Sequence, residues 1–283
     1  MFYIGIDLGT SAVKLLLMDE NGMVLRTVQK EYPLSFPKTG WSEQNPEDWW
    51  TQTRIGIRDL MEGFDSTQVD GLSFSGQMHG LVLLDERDQV IRPAILWNDG
   101  RTAEETEWLN SEIGEERLAD LTGNIAFAGF TAPKLLWVRK HEPENFRRIR
   151  RIMLPKDYLA YRMTGVHSTD YSDAAGMLLL DTAHKCWSAE MLYICGVTKE
   201  QMPRLFESWH VIGTLTGRVA QDLGLPPHVR VCAGAGDNAA AAVGTDTLSD
   251  GSCNISVGTS GTIFIACDQF HLPKNHALHS FAH

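Results

Sequence analysis

The chain has 283 residues, which is enough for one large domain or two smaller ones, and 43% of them are hydrophobic, which supports a buried core. The formal charge of −11 disfavours nucleic acids and anionic membranes as partners, because both need a basic protein surface. Any nucleotide would therefore have to be bound by local hydrogen-bond donors.

The N-terminal residues and the cysteines predict a cytoplasmic protein. The first apolar run has no basic region before it and meets Asp7 early, so we expect no signal peptide. No stretch of the sequence approaches the roughly 20 apolar residues that a membrane-spanning helix needs. The five cysteines form no Cys-x-x-Cys pair, which is typical of reduced thiols that pack as small apolar residues.

The first predicted element is a hairpin whose turn is Gly9-Thr10-Ser11, between strands near residues 3–8 and 13–18. The same tripeptide returns as Gly258-Thr259-Ser260, again between two strand-like runs. Glycine lets backbone amides approach an anion, and the hydroxyls add donors, so each turn can hold phosphate oxygens. One copy alone would be an ordinary turn. The pair predicts two hairpins that clamp a polyphosphate between two lobes.

Asp7 lies at the end of the first predicted strand, next to this turn. A carboxylate beside a phosphate loop can orient Mg²⁺, usually through water, because that ion keeps much of its hydration shell. The alternative is an ordinary residue at a strand end, although acidic residues are depleted inside strands.

The next elements alternate between helices and strands. The run Asn45-Pro46-Glu47-Asp48 predicts a helix start, and the apolar spacing extends that helix to about residue 62. Strands follow at 69–75, 81–85 and 90–96. Residues 102–197 are helix-rich, with starts at Pro133 and Pro155. A strand at 229–233 then leads into a helix at 239–243, and the whole mixture predicts the α/β class.

Several motifs together resemble the FGGY carbohydrate kinases, and among them the bacterial xylulokinases. Each motif alone would be weak evidence, but the set covers the chain from Tyr3 to its last residue. The residues that carry the resemblance are Asp7-Leu8-Gly9-Thr10-Ser11, Gln77-Met78-His79-Gly80, Trp97-Asn98-Asp99-Gly100-Arg101, a signature-like segment over residues 129–141, Gly236-Asp237-Asn238 and Gly258-Thr259-Ser260-Gly261.

The resemblance implies an actin-like (ribonuclease H-like) ATPase fold of two lobes, with sugar and nucleotide meeting in the cleft between them. Residues 1–245 would form the N-terminal sugar-kinase lobe, and residues 246–283 would begin the C-terminal nucleotide lobe. Family members are considerably longer, so we expect a truncated second lobe and doubtful turnover by this chain alone. An uncovered apolar sheet favours association, so residues 250–283 are expected to be poorly packed, swapped or paired with another copy.

By the same resemblance, Asp237 takes the proton from the sugar hydroxyl that attacks the γ-phosphate of ATP, and Asn238 hydrogen-bonds the sugar. The position before a helix fits this role, because the positive end of the helix dipole would keep the carboxylate ionised. A helix N-cap is the alternative explanation for Asp237 and needs no catalysis.

The resemblance also implies the other ligands. Met78 and His79 would line the sugar site, Thr10, Ser11 and Lys14 would bind phosphate from the first hairpin, and Gly258 and Thr259 from the second. Asp7 would hold the metal. Alone, a histidine after a strand more often has a structural role. Lys14 is equally well explained as an ordinary charged residue on the exposed face of a strand.

The predicted reaction is therefore transfer of phosphate from MgATP to the 5-hydroxyl of D-xylulose. Two alternatives stay open: an inactive sugar-binding fragment, and a kinase for ribulose, glycerol or gluconate. An actin-like ATPase without a sugar is disfavoured by the Met-His and Asp-Asn pairs. Homodimers are common among such kinases, and the sequence leaves the assembly state open.

Two further features stand outside the predicted site. Trp97 and the residues after it are interpreted as shaping a contact between lobes or subunits. His276, His279 and His283 have a spacing that suggests a metal site, but no cysteine or acidic residue accompanies them, so we do not assign one.

Overall fold

The computed structural model of the chain describes residues 1–257, 261–272 and 278–282. The strands within these ranges are β1 Phe2–Leu8, β2 Ala12–Asp19, β3 Val24–Glu31, β4 Glu43–Gln44, β5 Val69–Gly76, β6 Val82–Leu84, β7 Ala94–Ile95, β8 Arg151–Met153, β9 Ser168–Asp170, β10 Leu180–Asp181, β11 Cys186–Trp187, β12 Arg204–Phe206, β13 Val211–Thr214, β14 Arg230–Cys232, β15 Ala235–Gly236, β16 Cys253–Val257 and β17 Gly261–Ile265.

The helices are α1 Pro46–Met61, α2 Ala103–Trp108, α3 Glu115–Thr122, α4 Thr131–His141, α5 Pro143–Arg147, α6 Pro155–Thr164, α7 Tyr171–Ala175, α8 Ala189–Cys195, α9 Gly217–Leu223 and α10 Asp237–Gly244. Single 3₁₀ turns lie at Ser66–Gln68 and Lys199–Gln201, and a π-helical segment, Leu109–Gly114, joins α2 to α3. The predicted α/β class is confirmed.

A seven-stranded sheet organises the chain, in the order β13-β14-β5-β1-β2-β3, with β15 also paired to β5. Strands β1 and β2 form the predicted antiparallel hairpin, while β1, β14 and β15 all run parallel to β5. The carboxyl ends of β1, β5 and β15 therefore meet at one edge of the sheet. This edge is where open α/β sheets usually bind ligands.

Helix α1 confirms the predicted start, because the Asn45 side chain accepts a hydrogen bond from the Glu47 amide at 3.2 Å and Pro46 occupies the first helical position. Its buried face packs on β2 and β3. The apolar spacing that predicted the helix is also the spacing that its buried side chains share: Trp49, Thr53, Ile57 and Leu60.

Two hydrophobic cores flank strand β6. Alternate residues of this strand serve different cores, since Val82 and Leu84 belong to the first, and Leu83 joins the second. The first core contains Ile4, Ile6, Leu15, Leu17, Trp49, Ile57, Leu72 and Phe74. The second contains Leu81, Phe130, Leu135, Ile152, Leu178 and Met191.

Two predicted boundaries were wrong. The strand expected over residues 90–96 is reduced to Ala94–Ile95 and one bridge at Val90, because Pro93 has no amide to donate to a ladder. Helix α4 begins at Thr131, so Pro133 lies within its first turn, where a missing amide costs no helical hydrogen bond.

The second predicted hairpin is present as β16 and β17, paired antiparallel. It leaves apolar side chains in solvent, with Ile255 65% and Val257 86% exposed, as expected for strands without cover. Residues 278–282, in contrast, pack on the rest of the chain: the Ser280 amide donates to Asn124 Oδ1 at 2.8 Å, and Ala282 is buried. Whether this region pairs with another copy stays a prediction.

None of the helices in the described part of the chain has the length and hydropathy that crossing a bilayer requires. The five cysteines are all free thiols, and Cys195 is fully buried.

A buried charge cluster underlies the sheet edge. Lys156 Nζ lies 2.7 Å from Asp157, 2.8 Å from Asp170 and 3.6 Å from Asp173, and each of the four side chains is at most 1% exposed. Burial alone would lower the pKa of Lys156, but the three carboxylates outweigh it and hold the pKa above its usual value. The cluster binds the start of α6 to β9 and α7.

Lys156→Met is expected to destabilise the chain by about 3–5 kcal/mol at pH 7, because it leaves buried carboxylates without their cation. Urea denaturation measures the loss, with Lys199→Met at an exposed lysine as control. The loss should shrink at pH 5, where the orphaned carboxylates can bind protons. A change as small as that of the control would show that the cluster contributes little to stability.

Candidate active site

The three predicted site segments come together because three parallel strands end at the same edge. Asp7 of β1 pairs with Ser75 of β5, and Ala235 of β15 pairs with the same Ser75. Gly236 pairs with Gly76, so Asp237 follows directly at this edge. Asp7 is half-buried and Asp237 is exposed, and the two are close enough for the charge of Asp7 to raise the pKa of Asp237.

The Gly9-Thr10-Ser11 turn is held from three directions. Tyr32 donates its hydroxyl to the Gly9 carbonyl, and Gln44 Nε2 donates to the Thr10 carbonyl at 2.7 Å. Trp97 Nε1 donates to Thr10 Oγ1 at 3.0 Å. Trp97, which was left out of the predicted site, thus contacts a predicted phosphate ligand, and its role in a contact between lobes or subunits stays a prediction. Only its place in the resembling motif could have indicated this.

Lys14 lies directly opposite Asp7 in the hairpin register. Residues that face each other across antiparallel strands project to the same side, so Lys14 stands beside Asp7 at the sheet edge. Both Lys14 and Ser11 are exposed to solvent, as side chains that bind a soluble anion need to be. Their role as phosphate ligands stays a prediction.

Asp237 is the first residue of α10, and the N-cap position belongs to Gly236. The alternative explanation of Asp237 as an N-cap was therefore wrong. One carboxylate oxygen accepts a hydrogen bond from the Asn238 amide at 2.8 Å. The residue as a whole is exposed to solvent. Desolvation of its carboxylate by neighbouring protein atoms, reinforced by the charge of Asp7, raises the pKa of Asp237 to about 6. A carboxylate with this pKa is still mostly ionised at pH 7, as expected.

The turn that carries Asp237 is anchored by the hydroxyl group of Ser172, a residue that the sequence analysis did not single out. The Gly236 amide donates to Ser172 Oγ at 3.1 Å, and that hydroxyl donates to Asp170 Oδ2 at 2.5 Å. Asp170 also pairs with Lys156, so the buried charge cluster reaches the turn that carries Asp237. Ser172 and Asp170 lie far from Asp237 in the sequence and match no motif, so only the folded chain reveals them.

Met78 and Asn238 meet across this edge. Asn238 Nδ2 donates to Met78 Sδ at 3.7 Å, and Met78 is only 4% exposed. A Cβ on Gly236 would lie 2.9 Å from Met78 Cε, so the backbone of the Asp237 turn and the Met78 side chain are packed as closely as glycine allows. The structure thus brings together two of the predicted sugar-site pairs, Met78-His79 and Asp237-Asn238.

The His79 ring has a defined tautomer. Nδ1 lies 2.8 Å from the Gly176 carbonyl, which only accepts, so Nδ1 carries the proton and Nε2 is left as an acceptor. The ring packs on Phe130 with centroids 4.8 Å apart. Burial, helped by the charge of Lys134, lowers the pKa of His79 to about 3, so the ring is neutral at physiological pH. A neutral Nε2 can accept a hydrogen bond from a hydroxyl group.

The remaining predicted residues are less defined. Gly258, Thr259, His276 and His283 lie outside the described residues. His279 packs on Phe127, with ring centroids 4.3 Å apart, next to Phe130. Within the described ranges, no group of three or more His, Cys, Asp or Glu side chains is arranged to hold a metal ion.

Taken together, the sheet edge carries a carboxylate with a pKa near neutrality, a hydroxyl-bearing turn, a lysine and a neutral histidine acceptor. A base of this pKa can accept a proton from a hydroxyl group near pH 7. The turn and the lysine can contact an anion.

Known proteins are similar to this chain in sequence and fold. The model of the N-terminal domain of the FGGY family of carbohydrate kinases matches residues 2–244. A xylulose kinase of Escherichia coli (strain K12) is 46% identical over 281 residues, which cover 99% of this chain and 57% of that protein. The chain therefore spans little more than half of this relative's length.

Two crystal structures are also similar to this chain. A xyloylose kinase from Brucella ovis has 43% identity and a TM-score of 0.95, over 99% of this chain and 58% of its own. A ligand-bound xylulose kinase from Lactobacillus acidophilus has 29% identity and a TM-score of 0.94, over 98% and 56% of the two chains. The predicted actin-like fold is confirmed for the N-terminal lobe. This chain belongs to the FGGY family of carbohydrate kinases.

Proposed function

We propose that the chain acts in a xylulokinase-type reaction, in which the γ-phosphate of MgATP is transferred to the 5-hydroxyl of D-xylulose. The observation that carries the proposal is the contact between the Asp237-Asn238 and Met78-His79 pairs at one sheet edge. Similarity to xylulose kinases supports the same acceptor. In this proposal residues 1–245 are the sugar lobe, and residues 246–283 begin the nucleotide lobe.

Asp237 would act as the general base. Its pKa of about 6 keeps most of the carboxylate ionised at pH 7 and still makes it a better proton acceptor than an ordinary aspartate. The proton would pass from the attacking sugar hydroxyl to the carboxylate. The hydrogen bond that the Gly236 amide donates to Ser172 Oγ would keep this carboxylate in place while the hydroxyl attacks.

The sugar would lie between His79 and Asn238. His79 Nε2 would accept a hydrogen bond from a hydroxyl of the ketose, and Asn238 Nδ2 would be free to leave the weak sulfur acceptor for a better oxygen. Met78 would pack on the carbon skeleton, since its side chain already lines this edge. Together these contacts would orient one terminal hydroxyl toward Asp237.

The phosphate groups would meet the first hairpin. Thr10 and Ser11 would donate hydroxyl hydrogen bonds, and Lys14 would supply positive charge next to Asp7. Asp7 suits Mg²⁺, because it is a half-buried hard-oxygen donor at the turn and this ion is usually held by one or two carboxylates, water and phosphates. When bound, the ion would neutralise charge on the phosphates. Gly258 and Thr259 would contribute from the second hairpin.

A second candidate is a sugar-binding chain without phosphoryl transfer. It is favoured by the contact between Asn238 and Met78, which belongs to the proposed sugar site and needs no nucleotide. Transfer requires nucleotide, metal and acceptor to be in line, so activity would be lost if the nucleotide were held less completely. A kinase for ribulose, glycerol or gluconate is the remaining alternative, since these acceptors would use the same base and turn.

Location and assembly belong to the same proposal. Free thiols agree with a cytoplasmic protein, and kinases of this kind are commonly homodimers. Cell fractionation and analytical ultracentrifugation test the two points; recovery outside the cytoplasm, or a strict monomer at micromolar concentration, would contradict them.

Calorimetric titration with D-xylulose, L-ribulose, glycerol and gluconate, followed by a coupled assay for ADP, tests the function. Selective D-xylulose binding with sugar-dependent ADP release supports the kinase. Binding without ADP release selects the sugar-binding alternative. A preference for another acceptor would identify that compound, instead of D-xylulose, as the substrate. Absence of binding to all four by the folded chain would overturn the proposal.

Asp237→Asn is expected to lower kcat by about 10²–10⁴-fold, because the amide cannot take the proton, while the affinity for D-xylulose stays within a few-fold. Asp246→Asn, an exposed aspartate just beyond α10, is the matched control. Rates and dissociation constants are measured side by side. An active Asp237→Asn enzyme would exclude this residue as the base.

The carboxyl group of Asp237 is expected to titrate with a pKa near 6 in ¹³C-detected NMR. Below this pH the group is protonated, so base function is lost as the pH falls through 6. Asp7→Asn removes a neighbouring negative charge and should shift the titration to lower pH. A midpoint near the ordinary aspartate value in the unsubstituted chain would argue against the raised pKa.

Gly176→Ala is expected to weaken D-xylulose binding by about tenfold or more, because the new methyl would lie 2.4 Å from His79 Nδ1 and would displace the ring from its acceptor. Gly217→Ala is the control, since a Cβ there meets nothing within 4 Å. Calorimetry gives both affinities. Equal affinities in the two folded variants would show that the position of the His79 ring does not matter for the sugar.

A further inference from the structure

The signature-like segment over residues 129–141 has no role in the chemistry described so far, yet it places a lysine in the interior. Lys134 of α4 is fully buried, although lysine is almost never buried without partners. Its Nζ donates to the Gly129 carbonyl at 2.6 Å and to the His79 carbonyl at 2.8 Å. One partner is therefore local, and the other belongs to the predicted sugar loop.

The backbone of His79 is strained. Its φ is +66°, and the Gly80 amide donates to the Met78 carbonyl at 2.8 Å, so His79 is the central residue of a three-residue turn. Such γ-turns with positive φ are rare and costly for residues other than glycine. A strained conformation of this kind persists only where the surrounding structure holds it.

The contacts that hold the turn converge on one atom. The His79 carbonyl accepts hydrogen bonds from Lys134 Nζ at 2.8 Å and from Thr131 Oγ1 at 3.1 Å. The other end of the residue, ring atom Nδ1, is held by Gly176. Because the carbonyl and the ring are both fixed, the direction in which Nε2 points is fixed as well.

We propose that Lys134 and Thr131 are positioning residues for the acceptor sugar: by binding the His79 carbonyl they hold the strained turn and aim Nε2 at the sugar. This inference rests on the proposed function only for the identity of the ligand. It assigns a role to two residues that do not touch the sugar and that lie more than 50 positions from His79 in the chain.

A purely structural role explains Lys134 less well. A buried lysine needs compensation that an apolar side chain of similar length would not need, so packing alone favours methionine or leucine at this position. Burial lowers the pKa of Lys134 to about 7, opposed by Asp99 and reinforced by Arg101. A neutral amine has two N–H donors, and two carbonyls lie within hydrogen-bond distance, so the contacts persist when the proton is lost.

The test compares Lys134→Met and Thr131→Val with Lys140→Met. Lys140 is on the same helix, but it is exposed and pairs with Glu104 at 2.7 Å, so it controls for loss of a lysine from α4. The first readout is the ¹⁵N spectrum of the His79 ring in the full chain without sugar. We expect the Nδ1-protonated tautomer in the unsubstituted chain and in Lys140→Met, and a mixture of tautomers in the other two variants.

The second readout is D-xylulose affinity. Lys134→Met should weaken binding by about tenfold or more, the effect of one lost buried hydrogen bond at the site. Thr131→Val should weaken it less, and Lys140→Met should leave it unchanged. In a His79→Ala background, Lys134→Met should have no further effect, because its influence passes through His79. A structural lysine would weaken binding equally in both backgrounds.

The two readouts separate this inference from the proposed function. If the unsubstituted chain binds no ketose, the proposed function fails, and the His79 spectrum still tests the positioning role. Unchanged His79 signals in folded Lys134→Met and Thr131→Val would overturn the inference. If Lys134→Met does not fold, Thr131→Val, which keeps the size of the side chain, decides the outcome by the same criteria.

Discussion

Three parallel strands, β1, β5 and β15, end at the same edge of the central sheet, and their ends carry Asp7, Gln77 and Asp237. The ladder of backbone hydrogen bonds sets their register, and a slip by one residue would turn each side chain to the opposite face. The pairing continues beyond the strands, because the Gln77 amide donates to the Leu8 carbonyl at 2.8 Å. The proposed contacts with the sugar, and those of the first hairpin with phosphate, depend on this shared edge.

Buried polar groups behind the edge hold the two turns that carry the candidate site residues. The turn that carries Asp237 is linked through Ser172 to Asp170 and the charge of Lys156. The loop that carries His79 is linked to Lys134. Such groups are costly to bury unless they are paired. Their presence behind both loops indicates that hydrogen bonds and ion pairs, rather than apolar packing alone, fix the loop geometry.

Prediction from sequence succeeded where the signal is local. The hairpin with Asp7 near its turn, the start of α1 at Pro46 and the α/β alternation follow from short-range patterns, and the structure confirms them. It gave no signal where a distant group decides. Nothing near Trp97 in the sequence indicates its hydrogen bond to Thr10. Nothing near Asp237 in the sequence indicates the desolvation and the charge of Asp7 that raise its pKa.

The sequence by itself determined the strands, the turns and the residue types that can bind phosphate and sugar, because hydrophobic periodicity and turn chemistry are properties of neighbouring residues. The resemblance added roles for Asp237 and His79. Only the tertiary structure decided which nitrogen of His79 is free and how its backbone is held. Gly176 and Lys134 approach it from segments far along the chain, and hydrogen-bond direction depends on where those segments pack rather than on the local sequence.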